Sequence, residues 1–107
     1  MLFRSLGISP DKIGVSGASA GGHLAFNACL NQGNDAYDAI DVIDQLSCRP
    51  AFGLLFYPAY LSKGKEVAMA PDLNPELLGK DTPPVFMTIN GDDRGFAIGN
   101  QIGRAHV

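Results

Sequence analysis

The stretch KIGVSGASAGGH, Lys12–His23, decides how the rest of the chain is read. Its first half, KIGVSG, is a short apolar run that predicts a buried β-strand. From Ala20 to Leu30, small and apolar residues recur at Ala20, Leu24, Ala25, Ala28 and Cys29. That spacing predicts a helix whose narrow face packs closely on a sheet. Between strand and helix lies Gly17-Ala18-Ser19-Ala20-Gly21, a G-x-S-x-G turn. A serine hydroxyl is a weak nucleophile, and to react it must be held exposed on a tight turn within reach of a base. Glycines two residues to either side let such a turn pass close to strand and helix without a Cβ clash. A helix that begins at once also aims the Ala20 N–H, and the positive end of its dipole, at a developing oxyanion. With Gly at about 7% of residues, any given Ser has this pair of flanking glycines by chance about once in 200. Ser16 does not fit, because Ala18 stands where a glycine is needed. The stretch has neither G-x-G-x-x-G nor Gly-Lys-Ser/Thr, so a nucleotide-binding loop is poorly supported. Ser19 is the candidate nucleophile and Ala20 the candidate oxyanion-hole amide.

Outward from this stretch the pattern alternates. MLFRSLG reads as the tail of a helix closed by Gly7, and ISPD turns the chain into the strand. NQGND ends the helix with Gly and Asn chemistry. AYDAIDVIDQL follows as a weaker, partly amphipathic helix or an ordered loop. AFGLLFYP is a continuous apolar run ended by Pro58, as expected for a strand covered on both faces. Residues 62–84 hold four prolines and read as a long connection with one short helical turn. PPVFMTIN supplies a third apolar strand ending at Gly91. Strands alternating with helices predict a three-layer, doubly wound, mostly parallel α/β sheet with right-handed crossovers. Neither an internal repeat nor a domain boundary is visible.

The second chemical signal is INGDDRGF. Carboxylates directly after a buried strand lie in the loop at its C-terminal edge, where open α/β sheets place their sites. An acid that orients a histidine and stabilises its imidazolium belongs there, in the chain order Ser, Asp, His. Gly-Asp-Asp is also ordinary turn composition. The elbow two elements earlier favours the catalytic reading, with Asp92 and Asp93 as the candidate acids.

Composition narrows the partners. The chain has 107 residues, 46% hydrophobic and 18% charged, with a net charge of −3, the make-up of a folded domain rather than a disordered one. Without a run of Lys or Arg, neither nucleic acid nor an anionic membrane surface is expected as a partner. No apolar run reaches the roughly 18 residues of a membrane helix. The two cysteines, Cys29 and Cys48, form neither a disulfide framework nor a metal-ligand spacing, and both read as packing residues.

Together DKIGVSGASAGGHLA, LSCRPAFGLLFYPAYL and TPPVFMTINGDD resemble bacterial α/β-hydrolase fold esterases. The nearest group is the acetyl-xylan-esterase-like and feruloyl/acetyl-esterase-like carbohydrate esterases. The resemblance runs to about Asn100, and GASAGGH is its most specific part. It implies an α/β-hydrolase fold and hydrolysis of carboxylic esters, of small molecules or plant polysaccharide, through an acyl-enzyme. No metal or organic cofactor is implied. By position, Ser19 matches the nucleophile, Ala20 the oxyanion amide and Asp93 the triad acid. Arg94-Gly95-Phe96 departs from the hydrophobic-proline continuation common after that acid. A prolyl-oligopeptidase-type serine peptidase shares G-x-S-x-G, and a non-catalytic hydrolase-like binding protein could keep the elbow without the triad.

The base histidine is not evident. His23 lies one helical turn beyond Ser19 and cannot swing back onto its Oγ. A histidine is frequent there in the resembled family without being the base, so His23 reads as a packing or hydrogen-bonding residue. His106 follows the acid but only about a dozen residues after Asp93, too few for the helix and strand the resemblance places between them. The ending IGRAHV, Ile102–Val107, is also the translation of a common sequencing-library adapter, ATCGGAAGAGCACACGTC, whose next codon is a stop. The natural coding sequence is therefore expected to run off near Gln101. The His-Gly-Gly-like loop that supplies a second oxyanion donor in the family has no counterpart in Met1–Ser16. Residues 1–101 thus read as the central part of one hydrolase domain, incomplete at both ends and inactive by itself.

Overall fold

A computed structural model describes residues 5–30, 37–62, 73, 75–79 and 81–93. Ser5 is helical, and Gly7 at φ 74° takes the left-handed conformation that lets a glycine close a helix. A single 3₁₀ turn, Pro10–Lys12, then delivers the chain into β1, Val15–Ala18. Helix α1 spans Ala20–Leu30, the residues its sequence predicted. Strands β2, Gly53–Phe56, and β3, Val85–Thr88, complete a three-stranded parallel sheet in the order β1-β2-β3. Val15, Gly53 and Val85 stand in one register row, and Gly17, Leu55 and Met87 in another.

Those two rows face α1. Side chains of a strand alternate between faces, so Ser16, Ala18, Leu54, Phe56, Phe86 and Thr88 fall on the opposite face. Phe56 is 39% exposed and Phe86 58%, which corrects the expectation that AFGLLFYP is covered on both sides. Among the described residues the molecule has two layers, one helix on one face of the sheet, and the expected third layer is not seen.

The helix face also differs from the expected one. Gly22, Ala25, Phe26, Cys29 and Leu30 are buried, an i, i+3, i+4, i+7, i+8 stripe. Leu24 is 71% exposed and Ala20 and Ala28 face solvent. Apolar residues lie all round this helix, so periodicity alone permitted two stripes. The observed one buries Phe26 and Leu30, side chains worth roughly 1.5–3 kcal/mol each when removed from water. These two, with Ala25, Leu55, Leu61 and Leu73, form the core, and Val15, Val85 and Met87 pack against it. Helix and sheet approach closely because the contact is between small residues: a Cβ on Gly53 would stand 3.0 Å from Cys29 Sγ.

AYDAIDVIDQL takes the ordered-loop alternative from Tyr37 onward. Asp41 accepts the Ile43 and Asp44 N–H groups, and Asp44 accepts the Ile40 N–H and the Tyr37 hydroxyl. Such local side-chain bonds compete with a helix for the backbone donors. The Ile40 amide first, then the Tyr37 hydroxyl, hold the Asp44 carboxyl below its ordinary pKa. Cys29 is buried as expected, while Cys48 is exposed, a correction to its reading as a packing residue. Burial pushes the Cys29 thiol up to about 11, against a smaller lowering by Arg49.

Candidate active site

Parallel strands carry all three of their C-terminal ends to one edge of the sheet. Ser19 follows β1 there, Tyr57 follows β2, and the turn Asn90–Asp93 follows β3, closed by the Asp93 N–H donating to Asn90 O at 3.1 Å. With strands about 4.8 Å apart, β1 and β3 lie about 10 Å apart across β2. The topology thus brings Ser19, Ala20 and both candidate acids to one edge. Asp92 is exposed and Asp93 half-buried.

Ser19 is exposed and has φ 54°. A serine in the ordinary N-cap role keeps an extended backbone before its helix, so its position ahead of α1 does not explain this conformation. Left-handed backbone costs a non-glycine residue about 1–2 kcal/mol, and it persists only where the surroundings over-determine it. Here they do. The Ser19 N–H donates to Phe56 O at 3.1 Å, which ties the turn to the end of β2. Its carbonyl accepts from Gly22 at 3.0 Å, His23 at 3.3 Å and Ala59 at 3.0 Å. The leading amide of α1 is Ala20, and the first amides of a helix have no intrahelical acceptor.

The two motif glycines are not equivalent. A Cβ on Gly17 would collide with the Gly21 carbonyl and stand 2.7 Å from Gly22 N, so strand and helix touch backbone to backbone at Gly17. A Cβ on Gly21 would meet open space, contrary to the expectation that both glycines relieve a clash. The second tight contact is at Gly22, where a Cβ would lie 2.8 Å from Pro58 Cβ and 2.9 Å from Pro58 Cα.

His23 meets Tyr60 edge to face, ring centroids 6.4 Å apart at 69°, in keeping with its reading as a packing residue. His106, Arg94–Phe96 and Ile102–Val107 lie outside the described residues. Among the described residues no group of three or more His, Cys, Asp or Glu could hold a metal ion, and no helix is long and apolar enough to cross a membrane. What sequence reading missed at this edge is the Tyr57–Tyr60 turn: FYPAY was legible as a strand end, but its backbone conformation was not.

No family model matches the chain, and no curated protein matches it. In fold it is similar to the crystal structure of an acetyl ester-xyloside bifunctional hydrolase from Caldicellulosiruptor lactoaceticus, with a TM-score of 0.72 and 26% identity. The match takes in 98% of this chain and 46% of that one, so the chain spans about half the length of the hydrolase it resembles.

Proposed function

We propose that the chain carries the nucleophile, one oxyanion-hole amide and the acid of a serine hydrolase that cleaves carboxylic esters. The observation that carries this reading is the left-handed Ser19, exposed on a strand-to-helix turn whose backbone is pinned from β2 and from the Tyr57–Tyr60 turn. Ser19 Oγ gives its proton to the base and attacks the ester carbonyl, and the Ala20 N–H at the positive end of α1 stabilises the oxyanion. The ester C–O bond then breaks, and the alcohol leaves with that proton. Water then releases the acyl-enzyme. Asp93, with Asp92 as the alternative, orients the base, which is not among the described residues. The structural neighbour named as an acetyl ester-xyloside bifunctional hydrolase supports an ester substrate, an acetyl ester in particular, over a peptide.

Fluorophosphonate labelling tests this directly. A longer protein in which this chain is joined to its base is expected to take up one equivalent at Ser19 and to lose all labelling in Ser19→Ala. Labelling at another residue, or none in a protein with its base in place, refutes the assignment.

A further inference from the structure

Three non-glycine residues have positive φ among the described residues: Ser19 at 54°, Tyr57 at 37° and Tyr60 at 59°. All three lie at the C-terminal edge of the sheet, Ser19 and Tyr57 tied into it by hydrogen bonds and Tyr60 next to the bonded Ala59. The Tyr57 N–H donates to Thr88 O at 2.6 Å, and the Ala59 N–H donates to Ser19 O at 3.0 Å. Pro58 and Ala59 are buried, Pro58 against Gly22, and they anchor the turn to the start of α1. The tyrosines on either side are 54% and 60% exposed. A turn that needed only to lead the chain away from β2 would be better served by glycine at both strained positions. Strain of this kind gathers at binding and catalytic sites, where the conformation itself is used. Here it holds two large rings out at the edge that carries Ser19, in a chain with only three tyrosines and no tryptophan. Tyr57 stands one step past the register row of Ala18, Phe56 and Thr88, tied to β3 at Thr88 O, while Ser19 is tied to β2 at Phe56 O. Tyr60 meets His23 in a T-shaped ring contact.

Resting on the ester-hydrolase reading of Ser19, we infer that Tyr57 and Tyr60 are the specificity-determining rim of the site, selecting esters that carry a ring. An exposed tyrosine face packs on the flat face of an aryl group or on the C–H face of a pyranose, and an acyclic ester offers neither. A well-oriented ring contact is worth a factor of about three to ten in affinity.

The test is equilibrium binding by saturation-transfer NMR and by quenching of tyrosine emission, which no tryptophan masks. The probes are phenyl acetate, methyl β-xyloside monoacetate and triacetin, the first two separating an aryl from a pyranose ring. Tyr57→Gly and Tyr60→Gly each remove a ring while relieving the left-handed backbone, so lost binding is not lost folding, which far-UV circular dichroism checks. Each is expected to weaken at least one ring-bearing ester about three- to tenfold and to leave triacetin unchanged. Tyr57→Phe and Tyr60→Phe are expected to retain binding. Equal binding of ring-bearing and acyclic esters, no binding of either ring, or glycine variants that bind like the parent overturns the inference. Fluorophosphonate labelling of a longer protein that carries the base separates the two readings. Ring selectivity without labelling at Ser19 there sinks the nucleophile and spares the rim, and labelling without ring selectivity does the reverse.

Discussion

Gly17 and Gly21 look alike in the sequence, and alanine should affect them in opposite directions. At Gly17 the new methyl group would overlap the Gly21 carbonyl and crowd Gly22 N. All the obstructing atoms are backbone, so no rotamer change relieves them, and the cost falls at the upper end of overpacking, about 3 kcal/mol. At Gly21 the methyl group meets nothing, and alanine gains about 0.5 kcal/mol from better helix propensity. For a domain of this size 1 kcal/mol shifts Tm by about 4–8 °C. Gly17→Ala is therefore expected to lower Tm by about 12–24 °C, and Gly21→Ala to raise it by about 2–4 °C. Gly22→Ala, pressed on Pro58, should fall between them on the destabilised side, at about 1–2 kcal/mol. Thermal melts followed at 222 nm, with urea titrations as a check on the slope, measure all three. If Gly17→Ala and Gly21→Ala move Tm in the same direction, the packing described for this turn is wrong. The functional consequence tracks the same geometry: Gly17→Ala displaces the turn that holds Ser19 and should abolish its labelling, whereas Gly21→Ala should leave labelling intact.

The two cysteines give a second check. With its thiol raised to about 11 by burial, Cys29 holds only about one thiolate in a thousand at pH 8, and thiolate is the reactive form. Iodoacetamide should modify Cys48 rapidly and Cys29 only on unfolding; equal rates by mass spectrometry would contradict the burial. Because the folded pKa of Cys29 lies above its ordinary value of 9.0, its stabilising contribution is complete below pH 9 and is lost as pH rises towards 11. Cys29→Ala should flatten the pH dependence of stability in that window, and an unchanged slope would exclude the assignment. The sheet face that carries the exposed Phe56 and Phe86 supplies a third. Phe86→Ser should reduce dye binding to exposed apolar surface and slow aggregation, at a cost within about 0.5 kcal/mol. A loss of several kcal/mol would mean that this face is covered.

Much of the fold was legible because two local signals agreed. Buried strands of a parallel sheet read as short apolar runs, and glycine with serine between such a run and a helical pattern marks the turn. The α1 boundaries and the strand positions follow from that agreement. Periodicity was weaker where apolar residues surround an element: Leu24 and Phe26 are equally plausible core residues by hydropathy, and only docking on Gly53 and Leu55 selects Phe26. Asp41 and Asp44 are charges in a helical pattern until their carboxylates capture backbone N–H groups.

For the candidate site, the sequence by itself determined which residue types sit on which turns: Ser19 with its flanking glycines, Ala20 at the helix start, Asp92 and Asp93 after the third strand. Those are consequences of neighbours in the chain. That these turns share one edge depends on parallel pairing in the order β1-β2-β3, a choice made by burial across the whole sheet. The left-handed backbone of Ser19, Tyr57 and Tyr60, and the difference between Gly17 and Gly21, were settled only by tertiary structure. Each depends on atoms far away in the chain, Phe56 O, Thr88 O and Pro58 among them, and local sequence does not fix where such atoms stand.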